Sequence, residues 1–221
     1  MTTLQNIKAI VFDAYGTLFH VGSLVERLAH HFGQDAAIIG PTWRAKQLEY
    51  TWLRALMGNY VPFSQVTADA LRFACEQHNV SLDTAVSREL TQEYYHLASF
   101  DEVSPVLSKL KSSYQLAVLS NANPEMLHQA LQYNELLELI DGVFSVDEIK
   151  TYKPHPKVYQ LAVDGLKLSK EEIAFISTNT WDVAGARSFG FYTIWLNRFN
   201  KKLEALGLEP DHEIGNLSEL L

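Results

Sequence analysis

The sequence predicts an α/β protein: a parallel sheet core with a helical cap inserted between its first and second strands. Three observations carry this. Five short apolar runs lack polar alternation, as strands buried on both faces do. Helical patterns separate the later runs, as in repeated βα units. The stretch 21–100 carries only helical patterns.

The strands are expected at Ala9–Phe12, 116–119, 143–145, 173–176 and Tyr192–Leu196. The cap helices are expected at Ser23–Phe32, 41–57, 64–78 and 83–98. One core helix start is well marked, with Asn123 at the cap, Pro124 at the first helical position and Glu125 in the first turn. The core then comprises 1–20 and 101–221, and the cap 21–100. A cap of this kind walls off an active site that must exclude water.

Composition narrows the function. Lys and Arg total 18 against 26 Asp and Glu, a net charge of −8 that lacks the basic footprint of a nucleic-acid binder. The lone Cys75 forms no internal disulfide and has no Cys or His partners at metal-site spacing. The first eight residues hold no apolar signal core, and no apolar run approaches the length of a membrane span, so no membrane partner and a cytoplasmic location are expected. The Asn-x-Ser matches at Asn79 and Asn216 are then chance.

In an open parallel sheet, ligands bind beyond the carboxyl ends of the strands. At those exits stand Asp13-Ala14-Tyr15-Gly16-Thr17, Ser120-Asn121 and Ser177-Thr178-Asn179-Thr180-Trp181-Asp182, with Tyr152-Lys153-Pro154 opening a helix between them. Each piece has an ordinary reading, since Asp and Ser-Asn are common turn residues and a lone lysine is commonly solvated. Two carboxylates, a lysine, hydroxyls and amides in this order make a catalytic set.

That set, with Gly185-Ala186-Arg187 and the cap stretch 43–54, resembles the haloacid dehalogenase superfamily, and within it the L-2-haloacid dehalogenases, over nearly the whole chain. The resemblance implies a Rossmann-like parallel sheet core with the helical cap. Superfamily phosphatases carry a second Asp two residues after the nucleophile. This chain has Tyr15 there, and a phenol with a pKa of about 10 cannot protonate an alkoxide near neutral pH. Halide leaves without a proton, so a dehalogenase needs no such acid.

By this resemblance Asp13 attacks the halogen-bearing carbon of a short L-2-haloalkanoic acid with inversion, forming an ester that water hydrolyses to a D-2-hydroxy acid. Lys153 holds Asp13 ionised and oriented, and Ser177 and Thr17 hydrogen-bond to it. Asp182 and Asn179 serve the hydrolytic water. Ser120, Asn121 and backbone N–H groups after Asp13 receive the substrate carboxylate, and Arg44 attracts the halide. Leu48, Phe63, Tyr15 and Trp181 line the pocket. Tyr159, a turn beyond Lys153, is counted among the substrate-binding residues and reads equally as a donor from behind or a packed aromatic.

The implied partners are a small anionic haloacid and water, with no metal and no cofactor, in a homodimer. Two alternatives are a magnesium-dependent phosphatase of the same superfamily and a non-catalytic binding protein that retains the fold. Arg44 could instead be a surface arginine paired with Glu49. His30 and His31 lack a third ligand, His155 reads as a loop residue, and His20 stands at the core–cap junction where relatives often carry an acidic residue.

Overall fold

The computed structural model describes residues 6–221. The first five residues, which open both the expected first core piece and the stretch read as lacking a signal core, lie outside it.

Six strands form one parallel sheet: β1 (Ala9–Phe12), β2 (Gln115–Ser120), β3 (Gly142–Ser145), β4 (Ile173–Ser177), β5 (Tyr192–Leu196) and β6 (His212–Ile214). Their order is β3-β2-β1-β4-β5-β6, so β1 lies inside the sheet between β2 and β4. All four residues of β1 are buried, which is why Ala-Ile-Val-Phe carries no alternation. The sixth strand escapes the sequence reading because His212, Glu213 and Ile214 form a three-residue edge strand with one buried side chain. An edge strand needs no continuous apolar run.

Between β1 and β2 lie α1 (Ser23–Phe32), α2 (Ala36–Met57), α3 (Phe63–Gln77) and α4 (Thr84–Gln92). α2 starts five residues before the expected position, with Pro41 inside it, because Ala36 and Ile39 bury their side chains in the core cluster and extend the helix backward. α4 ends earlier than expected. Asp83 caps its start by accepting from the Ala85 N–H at 2.7 Å, and after Gln92 the chain tightens into a 3-10 turn that buries Tyr94 and Tyr95. Among the described residues no helix is long and apolar enough to cross a membrane.

The segments leaving β1 and returning toward β2 run side by side. Phe19 bridges Ser99 in antiparallel fashion, the His20 N–H donates to the Ala98 carbonyl at 2.8 Å, and the Phe100 N–H donates to the Leu18 carbonyl at 3.1 Å. His20 packs edge-on to the Phe100 ring, 4.8 Å between centroids.

The remaining helices, α5 (Val103–Leu110), α6 (Pro124–Tyr133), α7 (Pro156–Leu166) and α8 (Thr180–Phe189), complete the βα units. α6 begins at Pro124 as expected, but the Asn123 side chain does not cap it. Asn123 Oδ1 accepts instead from the Ser64 N–H at the start of α3, 3.3 Å away. His155 is more than a loop residue, since its Nδ1 accepts from the Lys157 N–H at the start of α7.

α8 lies close against the start of α7 through Gly185. A Cβ there would stand 2.4 Å from the Tyr159 hydroxyl oxygen and 2.5 Å from Pro154 Cβ. Gly185→Ala should therefore destabilise the fold by about 1–3 kcal/mol through overpacking. Chemical denaturation checks this, and a loss below a few tenths of a kcal/mol would show that the helices separate freely.

Candidate active site

The strand order builds the site. Phe12 pairs with Val118 on one side and Ile176 on the other, so the chain leaves β1, β2 and β4 at neighbouring points. Asp13 is therefore flanked by Ser120 at the end of β2 and Ser177 at the end of β4. Its own N–H extends the ladder to the Ile176 carbonyl at 2.9 Å, which fixes the backbone from which the carboxylate projects. Gly16, at φ +93°, then turns the chain back so that Thr17 faces Asp13.

The two Asp13 oxygens are occupied differently. Oδ2 accepts from Thr17 Oγ1 at 3.0 Å, Asn179 Nδ2 at 3.0 Å and Ser177 Oγ at 3.3 Å. Oδ1 faces the Lys153 ammonium at 3.2 Å. Three neutral donors thus hold one oxygen, while the other meets a single cation beside the cavity.

Lys153 is 1% exposed and reaches both Asp13 and Asp182, the latter at 2.7 Å. Its backbone N–H donates to Asn121 Oδ1 at 2.9 Å, tying the lysine loop to the exit of β2. Burial alone would lower the lysine's pKa, but the carboxylates on either side outweigh it and the net direction is upward. Asp182 is fully buried. Burial pushes its pKa up to about 6, with Asp13 adding to the rise and Lys153 and the Tyr159 hydroxyl opposing it. The lysine rises because two carboxylates flank it, whereas Asp182 rises chiefly because it is buried, with the Asp13 charge adding to it.

A tight cavity of about 20 Å³ lies against this cluster. Asp13, Tyr15, Arg44, Leu48, Phe63, Ser120, Asn121, Lys153, Asn179 and Trp181 all line it, as does Ala122, which the sequence reading did not single out. Arg44 and Leu48 share one face of α2, four residues apart. The alternative partner for Arg44 is otherwise engaged, since Glu49 pairs with Lys46 at 2.8 Å.

Arg44 instead donates to Gln47 Oε1 at 2.6 Å. Gln47 Nε2 donates to Thr67 Oγ1 at 2.8 Å, and that hydroxyl donates to the Phe63 carbonyl at 2.8 Å. This buried relay aims the guanidinium, and the sequence reading missed it. The available signal was a glutamine three residues after Arg44 on the apolar side of the helix.

Thr17, Ser177 and Asp182 lie behind the lining, in contact with Asp13 or Lys153. Tyr159, expected among the substrate contacts, is a correction. It is fully buried, lies outside the cavity, and donates to Asp182 Oδ1 at 2.8 Å. The Pro156–Leu166 helix turns this face toward Phe175 and Phe191 beneath the sheet exits, so the ring packs and only the hydroxyl meets the charge cluster.

Tyr15 sits at the position that separates the chemical alternatives. Its ring is 5% exposed, and its hydroxyl donates to the Tyr94 carbonyl at 3.0 Å. Burial drives the phenol's pKa well above its ordinary value. It is a wall, and its proton is not available near neutral pH.

The haloacid dehalogenase-like hydrolase family model matches residues 7–190 of this chain. The chain is 44% identical over 218 residues to (S)-2-haloacid dehalogenase 1 of Pseudomonas sp. (strain CBS-3), covering 98% of this chain and 96% of that protein. A crystal structure of an L-2-haloacid dehalogenase aligns with a TM-score of 0.95 at 39% identity, covering 97% of this chain and 96% of that one. A structure of L-2-haloacid dehalogenase from Xanthobacter autotrophicus with chloropropionic acid covalently bound aligns at 0.90 and 33% identity, covering 97% and 96%.

The raised pKa of Asp182 couples the site to stability. From an unfolded value of 3.8 to a folded value of about 6, the folded state binds the extra proton. That contribution is present below pH 3.8 and is lost as pH rises through about 6. Wild-type stability relative to Asp182→Asn should therefore fall between these limits. Urea denaturation across that range checks it, and a rising difference would reverse the assignment.

Proposed function

The chain belongs to the haloacid dehalogenase-like hydrolases, and from that premise we propose that it hydrolyses the carbon–halide bond of short L-2-haloalkanoic acids to D-2-hydroxy acids. The observation that carries this reading is Tyr15. Where a phosphate-ester enzyme needs an acid, this site has a buried phenol hydrogen-bonded to Tyr94 and held in the protonated form. A leaving group that needs no proton fits such a site.

In the first step Asp13 Oδ1, the oxygen not held by the three neutral donors, forms a bond to the halogen-bearing carbon. The carbon–halogen bond breaks, its electron pair leaves with halide, and the carbon inverts. Arg44 meets the developing negative charge in a pocket closed by Leu48, Phe63, Tyr15 and Trp181. The substrate carboxylate is received by Ser120 and Asn121. Ser120 Oγ already accepts from the Ala122 N–H, and Asn121 Oδ1 from the Lys153 N–H. Their remaining hydroxyl proton and NH2 group are donors suited to an anion.

Esterification neutralises Asp13. Burial still raises the Asp182 pKa, but Asp182 then loses the like charge that added to the rise and keeps Lys153 to itself, so the first step prepares the base for the second. Water attacks the Asp13 carbonyl carbon with its proton passing to Asp182, and Asn179 holds the ester oxygen. Collapse of the tetrahedral species breaks the bond between that carbon and the alkyl oxygen, which takes back the proton held by Asp182, so the product is a hydroxy acid carrying an oxygen from Asp13 and both carboxylates are regenerated. Tyr159, bonded to Asp182, keeps that carboxylate in place.

We assign residues 21–100 as the lid, since they bring Arg44, Leu48 and Phe63 to a cavity with little room to spare. The exposed apolar residues Leu53, Leu56 and Met57 at the end of α2 suit a homodimer contact, which light scattering would test. A cytoplasmic location accords with the free, buried Cys75.

Incubation with enantiomers of 2-chloropropionate should release chloride from the L form only, with and without chelator, and Asp13→Asn should abolish release while remaining folded. Absence of halide release from any short haloacid, or full activity in the Asn variant, would overturn the reading.

The charge argument gives a further outcome. Because ester formation removes Asp13's charge, hydrolysis of the trapped ester should have its pH midpoint below about 6, the free-enzyme value for Asp182. Rapid-quench measurement of ester decay against pH decides this, and a midpoint above that value would remove Asp182 from the base role.

A further inference from the structure

Outside the Asp13 cluster, Arg198 is a strongly buried cation near the site among the described residues. Arg198 follows β5, and its side chain is 6% exposed. Its guanidinium touches both segments that join the sheet to the helical layer. On the outgoing segment, Nη2 donates to the Thr17 carbonyl at 3.0 Å. On the returning segment, Nη1 pairs with Glu102, and the guanidinium carbon lies 4.0 Å from the centroid of the Phe100 ring.

Thr17 is also the residue whose hydroxyl donates to Asp13 Oδ2. That hydroxyl in turn accepts from the Thr178 N–H at 3.1 Å, next to Ser177 and Asn179. A contact at the Thr17 carbonyl therefore acts on the residue that helps choose which Asp13 oxygen the neutral donors hold. Burying a guanidinium costs free energy that a carboxylate, a carbonyl and an aromatic face offset only in a fixed geometry. Lysine would not reproduce the planar fork.

We propose that Arg198 is a positioning residue for the nucleophile, fixing Thr17 so that Asp13 Oδ2 stays held by its neutral donors and Oδ1, bonded only to Lys153, stays turned toward the cavity. It acts through Thr17 and touches no reacting atom. The effect on rate rests on the dehalogenase reading above, whereas the effect on Thr17 itself does not. A purely structural role would lower stability in Arg198 variants and leave the rate per folded site unchanged.

The test is a double-mutant cycle joined to an exchange measurement. Single-turnover ester formation with L-2-chloropropionate is measured for wild type, Arg198→Met, Thr17→Val and the double variant. Arg198→Met should slow the step about tenfold in the wild-type background and less than twofold in the Thr17→Val background. Equal factors in both backgrounds, or a loss of stability with no change in rate, would overturn the proposal. If the Met variant does not fold, Arg198→Lys serves in the same cycle with the same criteria.

Amide hydrogen exchange reads Thr17 directly in the substrate-free protein. In the Arg198 variant the Thr178 amide, held by Thr17 Oγ1, should exchange about tenfold faster. The Thr193 amide on β5, held by Asp211, should not change. Unchanged protection at Thr178 overturns the proposal whether or not halide is released. Failure of wild type to release halide, with Thr178 exchange still accelerated, would sink the dehalogenase reading alone.

Discussion

Asp13 and Asp182 share the ammonium of Lys153 in a buried pocket, and most of the architecture serves to make that arrangement tolerable. An isolated buried charge costs several kcal/mol, and two like charges beside each other add repulsion. The site meets this with one cation between the two carboxylates, three neutral donors on Asp13 Oδ2, and a tyrosine hydroxyl on Asp182. These partners come from the ends of β1 and β4, the loop before α7, and α7 and α8. The order β3-β2-β1-β4-β5-β6 is what brings those ends together.

The same cluster works through an imbalance of charge. With both carboxylates ionised, negative charge exceeds positive, so a group that removes one negative charge relaxes the whole set. A covalent bond to Asp13 does this and leaves Asp182 paired with an undivided Lys153. The helical layer contributes what the sheet lacks, a cation opposite the carboxylate and an apolar wall. Arg44 reaches the cavity from α2 because Gln47 and Thr67 hold it, and Phe63 comes from the first turn of α3. The net charge of −8 lies outside this compartment, where Arg44 and Lys153 balance Asp13 and Asp182.

Regular elements were legible in the sequence where burial is uniform. The Ala9–Phe12 and Tyr192–Leu196 strands lie where the apolar runs end, because strands covered on both faces must be apolar throughout. α1 lies where its pattern predicts for a similar reason, burying Leu24 and Leu28 on one stripe. β6 was not legible, because pairing to β5 asks little of its side chains. The early start of α2 was hidden by Pro41, which ordinarily marks a helix beginning.

For the site, the strand-exit residues by themselves offered a catalytic set of two carboxylates, a lysine, hydroxyls and amides, and the resemblance to the haloacid dehalogenases gave that set its expected roles. Residue type sets intrinsic reactivity, and strand ends are where a parallel sheet presents it. Tertiary structure alone decided which groups touch. It put Tyr159 behind Asp182 instead of in the cavity, Asn123 on Ser64 instead of on its own helix, Gln47 under Arg44, and Arg198 across both connecting segments. Those contacts join residues up to 181 positions apart. Local pattern cannot encode them, because each depends on where a different element ends and which way its side chains face.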